Sequence, residues 1–223
     1  MSPTRPETTL FLSLSVDGRI TSHDSDTFDP DQTWKSQPII RGILQQFYEF
    51  NQPNMVVLTT GFAMKNMGVN NSQAVPRKEN LKLVVLDPDA DLTPQGLSYL
   101  SQNVKKLYLI CLTSHPACLR DPGSRKINII AYPKEIDLND AFQKLAQSYL
   151  VKKLFIHSIA PLNADLIDAG LIDHLSIIIS PLLVGGHGTP TLKDSDMLAV
   201  RALKLVSVQA FSKDYVNLRY DLL

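Results

Sequence analysis

The segment LNADLIDAGLIDHLSIIISPLLVGG, residues Leu162–Gly186, contains a short helical run, an apolar run and a glycine-rich exit. Its apolar positions predict a helix over Leu162–Ala169, which Gly170 ends because glycine readily adopts the left-handed conformation. The continuously apolar residues that follow predict a strand over Asp173–Ser180, covered on both faces. A further strand is predicted just before it, over Lys153–His157. The segment therefore indicates a strand–helix–strand unit of a parallel sheet.

The same alternation runs through the preceding part of the chain. Extended runs are predicted at Thr9–Ser15, Asn54–Thr59, Leu81–Leu86 and Leu107–Leu112, and helices at Ser36–Phe50, Thr93–Ser101 and Asp137–Leu150. The last of these helices shows one apolar stripe at three- and four-residue spacing, with Asp137 as its N-cap. The polar stretch Asn66–Asn80 predicts a long surface loop.

The C-terminal residues follow a different pattern. Apolar and polar residues alternate over Leu203–Phe211 and Val216–Tyr220, and Ser212–Asp214 joins the two runs as a tight turn. This predicts an antiparallel hairpin at the end of a mostly parallel sheet. No linker signal divides the 223 residues, so we expect one α/β domain over 1–223.

Composition excludes several classes of protein. Lys plus Arg equals Asp plus Glu at 22 each, so no net charge attracts the chain to nucleic acid or to a lipid surface. The longest apolar runs are far shorter than the ~20 residues of a membrane-spanning helix. The two cysteines, Cys111 and Cys118, form no disulfide framework, and we expect a cytoplasmic protein. With His115 between them their spacing matches no common zinc pattern, so we expect thiols and no metal site.

Four segments carry a family resemblance, which covers most of the chain. These are SLSVDGRI (Ser13–Ile20), VVLTTG (Val56–Gly61), KLVVLD (Lys82–Asp87) and the segment Leu162–Gly186. Together they resemble the reductase domain of riboflavin biosynthesis, the C-terminal half of the bifunctional deaminase–reductase. The resemblance implies a dihydrofolate-reductase-like mixed sheet, mostly parallel with an antiparallel C-terminal hairpin, and helices on both faces.

The resemblance also implies an activity. The family reduces the ribose of a phosphoribosylaminopyrimidine to the ribityl form with NADPH, as 5-amino-6-(5-phosphoribosylamino)uracil reductase does, and acts as a homodimer. Its cofactor lies across the carboxyl ends of the strands. The matching positions in this sequence are Leu14, Trp34, Thr60, Gly61, Asn66, Asp87, Thr113, Ser158, Ile159, Ala160 and Leu162.

The sequence departs from the family at two places that matter for the site. The family has an acidic residue and two small residues, commonly glycines, where this chain has His157, Ser158 and Ile159. A β-branched residue resists the close approach and positive φ that glycine allows, so a cofactor would be held less tightly or along a shifted path. After Gly61, the family's threonine and aspartate pair are replaced by Phe62, Asn66 and neighbouring residues. These changes keep open a second reading, a non-catalytic or altered-substrate paralogue that retains the scaffold.

Three residues are candidates for binding the substrate. His157 ends an apolar strand, where its imidazole could hydrogen-bond a substrate hydroxyl or be satisfied by a backbone carbonyl. Arg41 and Arg77 are candidates for the substrate phosphate by chemistry and location, with a solvated surface arginine as the alternative. Asp17-Gly18 is a turn signature, and by resemblance it belongs to a loop that closes on the nicotinamide.

Overall fold

The computed structural model describes residues 4–20, 55–73, 80–119, 127–186, 191–193, 200–211 and 214–223. The chain divides into two compact units. Unit 1 comprises Met1–Thr8 and Pro53–Ser158, and unit 2 comprises Thr9–Gln52 and Ile159–Leu223. No helix among the described residues is long and apolar enough to cross a membrane.

In the part of unit 1 that the structure describes, five parallel strands lie in the order β5-β4-β3-β2-β6. Their bounds are β2 Val56–Thr60, β3 Lys82–Asp87, β4 Lys106–Leu112, β5 Ile127–Tyr132 and β6 Lys153–Ile156. Every residue of β2 is buried, and so are the last five of β3, as expected of strands covered on both faces. All five strands run in the same direction, so their carboxyl ends lie along one edge.

The described residues of unit 1 form four helices: α1 Gly61–Asn66, α2 Pro94–Asn103, α3 Pro116–Leu119 and α4 Leu138–Gln147. Local side chains set where they start. Thr60 caps α1, Thr93 caps α2 with Pro94 in its first turn, and the Asp137 carboxylate accepts a hydrogen bond from the Asp140 N–H at the start of α4. The predicted cap at Asp137 is confirmed.

The prediction of a surface loop over Asn66–Asn80 is wrong for its first part. Val69–Asn71 forms a 3₁₀ turn, and Val69 is buried in the apolar cluster that includes Leu97 and Leu100 of α2. Asn70 fixes this turn, because its amide oxygen accepts from the Thr93 N–H and its amide nitrogen donates to the Asp91 carbonyl. One buried apolar residue in a polar run gives no periodicity, so the sequence pattern could not reveal it.

Unit 2 contains β1 Glu7–Leu14, which begins in unit 1, together with α5 Ala160–Asp168, β7 His174–Ile179, β8 Leu203–Phe211 and β9 Tyr215–Leu222. β1 pairs with β7 in parallel, whereas β7 with β9 and β9 with β8 are antiparallel. Gly170 has φ +67° after α5, as the sequence predicts. The alternating C-terminal runs do form a hairpin.

The expected fold is therefore confirmed: an α/β protein with mostly parallel strands and an antiparallel C-terminal hairpin. The predicted helix at Ser36–Phe50 lies outside the described residues. The prediction of a single domain over 1–223 stays a prediction.

Candidate functional site

Several predicted site residues of unit 1 lie together at the carboxyl edge of its strands. Since β3, β2 and β6 are neighbours, their ends place Asp87, Thr60 and His157 side by side. The His157 N–H continues the ladder by donating to the Leu58 carbonyl at 2.9 Å, and its side chain is half-buried. Thr113 follows the next strand, β4, and is exposed. The sequence thus predicted which strand ends form this edge.

Asp87 has a structural role at this edge. Its side chain is buried, and it accepts hydrogen bonds from the Asp91 N–H at 2.9 Å and the Leu92 N–H at 3.0 Å. The ring of His115, also buried, lies against the same carboxylate, with Nε2 3.0 Å from Oδ2. Partners within unit 1 therefore satisfy a carboxylate that would be costly to bury alone.

The hydrogen bonds of His115 define its tautomer. The Ala117 N–H donates to Nδ1 at 3.0 Å, so Nδ1 must be an acceptor. The ring proton then lies on Nε2 and is donated to Asp87. His115 consequently serves as a neutral donor that holds Asp87 in one orientation.

Gly61 packs closely against the Asp87 side chain, which His115 holds. A Cβ added at Gly61 would overlap the Asp87 carboxylate, so only glycine fits at the first position of α1. The adjacent Thr60 hydroxyl accepts a hydrogen bond from the Ala63 N–H at 3.1 Å. Two contacts therefore position the Thr60-Gly61 turn: the buried Asp87 carboxylate packs against Gly61, and the Thr60 hydroxyl caps α1.

In unit 2, the start of α5 shows which backbone conformation Ile159 adopts. Ile159 has φ −90° and ψ 161°, an extended conformation that a β-branched residue adopts without strain. It is the N-cap residue and has no side-chain acceptor, and among the described residues no cap hydrogen bond is made there. The backbone N–H groups of Ala160 and Leu162 therefore begin the helix without a side-chain cap.

A second arrangement in unit 2 joins the two most specific motifs of the sequence. The Asp17 carboxylate accepts hydrogen bonds from the Ser15 hydroxyl at 2.6 Å, the Val184 N–H at 3.1 Å and the Gly185 N–H at 2.7 Å. These donors hold the pKa of Asp17 well below its usual range, the Ser15 hydroxyl contributing most. Arg19 adds a hydrogen bond to the Gly186 carbonyl at 3.1 Å.

The other predicted contacts are distributed as follows. In unit 2, Leu14 ends β1 and is buried, and its carbonyl accepts from the Ser180 N–H. Ser158 and Ile159 are half-buried, and Asn66 is exposed at the end of α1. Trp34, Arg41 and Arg77 lie outside the described residues. The assignment of all these residues to ligands stays a prediction.

Sequence reasoning missed two features of this structure. His115 drew attention only through the cysteines on either side of it, and nothing local indicates its contact with Asp87, 28 residues earlier. Asp17-Gly18 was interpreted as a turn signature, so the hydrogen bonds that the Asp17 carboxylate accepts from Val184 and Gly185 were not predicted. Among the described residues, no group of three His, Cys, Asp or Glu side chains is arranged to hold a metal ion.

A comparison with protein families shows to which family the chain belongs. The family model of the RibD C-terminal domain matches residues 6–217. The chain belongs to the RibD C-terminal domain family. The resemblance drawn from the four sequence segments is thereby confirmed. A search of curated proteins found no match.

Solved structures of RibD family members have the same fold. RibD of Acinetobacter baumannii (form 2) superposes with a TM-score of 0.67 at 18% identity, covering 99% of this chain and 58% of that one. The chain thus spans less than two thirds of that protein. The riboflavin biosynthesis reductase Rib7 of Saccharomyces cerevisiae gives a TM-score of 0.62 at 14% identity, with 100% and 92% of the two chains covered.

The likeness extends to dihydrofolate reductase. The enzyme of Enterococcus faecalis, solved as a complex with NADP(H), has a TM-score of 0.50 at 13% identity and covers 97% of this chain and 96% of its own. At these identities the likeness concerns the fold. This RibD-family chain therefore has the dihydrofolate-reductase-like fold that its sequence predicts.

Proposed function

We propose that this RibD-family chain is an NADPH-dependent reductase of riboflavin biosynthesis. Its substrate would be a phosphoribosylaminopyrimidine such as 5-amino-6-(5-phosphoribosylamino)uracil, whose opened ribose is reduced to ribityl. Membership of the family over residues 6–217 supports the reaction class. The observation that carries the cofactor assignment is the start of α5, whose first N–H groups receive no N-cap side-chain hydrogen bond within the described part of the chain.

The residues at the start of α5 fit the phosphate groups of a dinucleotide. Backbone N–H groups at a helix N-terminus attract anions, because they lack partners within the helix and lie at the positive end of its dipole. Pro161 lies in the first turn, where its missing N–H costs no hydrogen bond. Ala160 is small and Ser158 carries a hydroxyl that can donate to an oxygen. When bound, NADPH would supply the hydride that reduces the ribose carbon.

We assign the carboxyl edge of unit 1 to positioning. The Thr60-Gly61 turn is held over Asp87, and Asp87 is held by His115, so the edge keeps one shape without help from a ligand. His157 is half-exposed at this edge and would hydrogen-bond a substrate hydroxyl. Arg41 and Arg77 remain our candidates for the substrate phosphate.

We further propose a homodimer that forms through β8. Among the described strands, β8 pairs only with β9, so no described strand occupies its outer edge. Its nine residues include a single charged side chain, Lys204, and Leu205, Val206 and Val208 are each more than half exposed. Such an edge favours pairing, and a second copy offers a strand of the same length and polarity. The two free thiols fit a reducing, cytoplasmic location.

Titration of the purified protein with NADPH tests the cofactor assignment. We expect saturable quenching of intrinsic fluorescence with a Kd of roughly micromolar, and a rise in Tm that grows with NADPH concentration. NADH under the same conditions reports the preference for the 2′-phosphate. If NADPH produces neither effect, the non-catalytic reading with a degenerate site replaces the reductase.

Turnover tests the substrate assignment separately. Oxidation of NADPH, followed by its absorbance, should depend on the added phosphoribosylaminopyrimidine. Binding of NADPH without turnover of this substrate would retain the reductase class and reject the substrate. His157→Ala should then reduce turnover more than cofactor affinity, because the imidazole is assigned to the substrate.

A further inference from the structure

The two cysteines of the chain, 7 positions apart in sequence, are in contact. The sulfur atoms of Cys111 and Cys118 lie 3.7 Å apart. Cys111 is in β4 and is completely buried, whereas Cys118 is in α3 and is partly exposed. Cys118 is therefore the more exposed of the two residues, and Cys111 is shielded from solvent.

The hydrogen bonds of the two cysteines indicate the direction of each S–H group. Cys118 directs its S–H toward the Leu112 carbonyl, with 3.6 Å between sulfur and oxygen. A thiol has one hydrogen, so the contact between the sulfurs uses the S–H of Cys111. The sulfur of Cys111 therefore already points at the sulfur of Cys118.

We propose that Cys111 and Cys118 are an oxidation site that takes a peroxide as its reactant and becomes an intramolecular disulfide. The proposal does not rest on the reductase function or on a bound cofactor. The two thiols can react with each other because their sulfur atoms are in contact. The proposal rests on the distance between them and on their unequal exposure.

The reaction balances with one molecule of hydrogen peroxide. Cys118, as thiolate, attacks one peroxide oxygen, the O–O bond breaks, and the leaving hydroxide takes up a proton to become water. Cys118 is then a sulfenic acid. Cys111 gives up its proton and attacks the Cys118 sulfur, the S–O bond breaks, and a second water leaves. The two thiols have lost two electrons and two protons, and the peroxide has been reduced to two waters.

Burial explains why Cys118 reacts first and why the disulfide is the product. Removal from water raises the pKa of the Cys111 thiol, so Cys111 is the poorer first nucleophile. It belongs to the apolar cluster that contains Leu107, Leu109 and Val85, and the buried Asp87 carboxylate lies next to it on β3. A sulfinate at Cys111 would place a charge in this core, whereas a disulfide adds no charge there.

The required movement is small. A disulfide has an S–S distance of about 2.05 Å, so the sulfurs must approach by about 1.7 Å from their 3.7 Å separation. Between the two cysteines, His115 is anchored to Asp87 and to the Ala117 N–H. Rotation of the two side chains, rather than rearrangement of this anchored segment, would close the distance.

Peptide mass spectrometry of the native full-length protein tests the proposal. The reduced protein is treated with equimolar hydrogen peroxide, its free thiols are alkylated under denaturing conditions, and it is digested without reductant. We expect one tryptic peptide, Leu107–Arg120, that contains both cysteines, carries no alkyl group and is lighter by two hydrogen atoms than the reduced peptide, in a monomeric band on a non-reducing gel. Linkage between two chains, or a sulfinic acid at Cys118 with Cys111 still alkylated, would overturn the proposal.

Two serine variants separate the roles of the thiols. In Cys111→Ser, Cys118 should stop at a sulfenic acid that dimedone traps. In Cys118→Ser, Cys111 should remain a free thiol at the same peroxide dose. Equal reactivity of Cys111 with and without Cys118 would contradict the assigned order. The wild-type measurement needs neither variant to fold, so it decides the existence of the disulfide by itself.

Discussion

Asp17 and Gly185 are 168 positions apart in the sequence and are joined by a 2.7 Å hydrogen bond from the Gly185 N–H to the Asp17 carboxylate. The same carboxylate accepts from the Val184 N–H, so one side chain fixes two consecutive backbone amides. Gly185 and Gly186 have φ of +70° and +87°, values that other residues adopt only with strain. Asp17 thus holds a glycine-rich segment in a conformation that its glycines permit.

Asp17→Asn should loosen this segment. An asparagine side chain has one accepting oxygen and an NH₂ group, so either Val184 or Gly185 loses its acceptor. We expect the amide of at least one of them to exchange with deuterium several-fold faster. Asp89→Asn, at an exposed position of unit 1, is the control. Unchanged exchange at both amides would mean that Asp17 does not hold the segment.

The low pKa of Asp17 predicts an acid-dependent loss of stability. Folding lowers this pKa below the ordinary value of 3.8, so the folded state favours the carboxylate and the unfolded state binds the proton more readily. The contribution is therefore complete above about pH 5 and decreases as the pH falls through 3.8 toward the folded pKa. Urea unfolding at pH 6 and pH 3 should show a smaller pH effect in Asp17→Asn than in the wild type. Equal pH effects in the two proteins would exclude this role.

Gly61→Ala should destabilise unit 1. The added methyl group overlaps the buried Asp87 carboxylate, which Leu92 and His115 hold in place. Overpacking of this kind typically lowers the free energy of unfolding by about 1–3 kcal/mol. Urea denaturation measures the change. Gly170→Ala is an informative comparison, because its added methyl meets no atom within 4 Å and only its φ of +67° is unfavourable. A harmless Gly61→Ala would show that the Asp87 side chain can move.

Ile159→Asp should weaken NADPH binding without weakening the fold. An aspartate at the N-cap can accept from the first N–H groups of α5, and its charge repels a phosphate. We expect a loss of affinity of at least about tenfold, together with an unchanged or higher Tm, which a merely damaged protein would not show. Ile159→Ala, which removes the branch and adds no charge, is the matched control. Equal affinity for NADPH in Ile159→Asp would place the phosphates elsewhere.

Val208→Lys should convert a dimer into a monomer. Val208 is 60% exposed on β8, and a charge at an edge strand opposes pairing with another strand. Light scattering should give about twice 24.8 kDa for the wild type and 24.8 kDa for the variant. As a control, Met67→Lys introduces the same charge at an exposed apolar position of unit 1, after α1. A wild-type monomer, or a variant that remains dimeric, would reject β8 as the interface.

The sequence by itself determined the family and most of the elements, whereas α1, α3 and β5 were not predicted. Helix α4 follows from an apolar stripe and the cap Asp137, the end of α5 from Gly170, and the terminal hairpin from alternation. These signals are local, because caps, periodicity and left-handed glycines depend on residues within a few positions. The motifs of the family could likewise be recognised in order along the chain.

Only the tertiary structure decided which side chains meet. The contacts of the Asp87 carboxylate with His115 and with the loop that follows it come from the tertiary structure, and the assignment of Asp87 to the cofactor stays a prediction. Cys111 and Cys118 are in contact because α3 folds back on β4, and Asp17 reaches Gly185 because β1 and β7 are neighbours. Such contacts depend on packing between segments that are distant in sequence, for which no local pattern exists. The extended backbone of Ile159 is another feature that only the tertiary structure decided. Its φ depends on its position as the N-cap of α5 and not on the residue type alone.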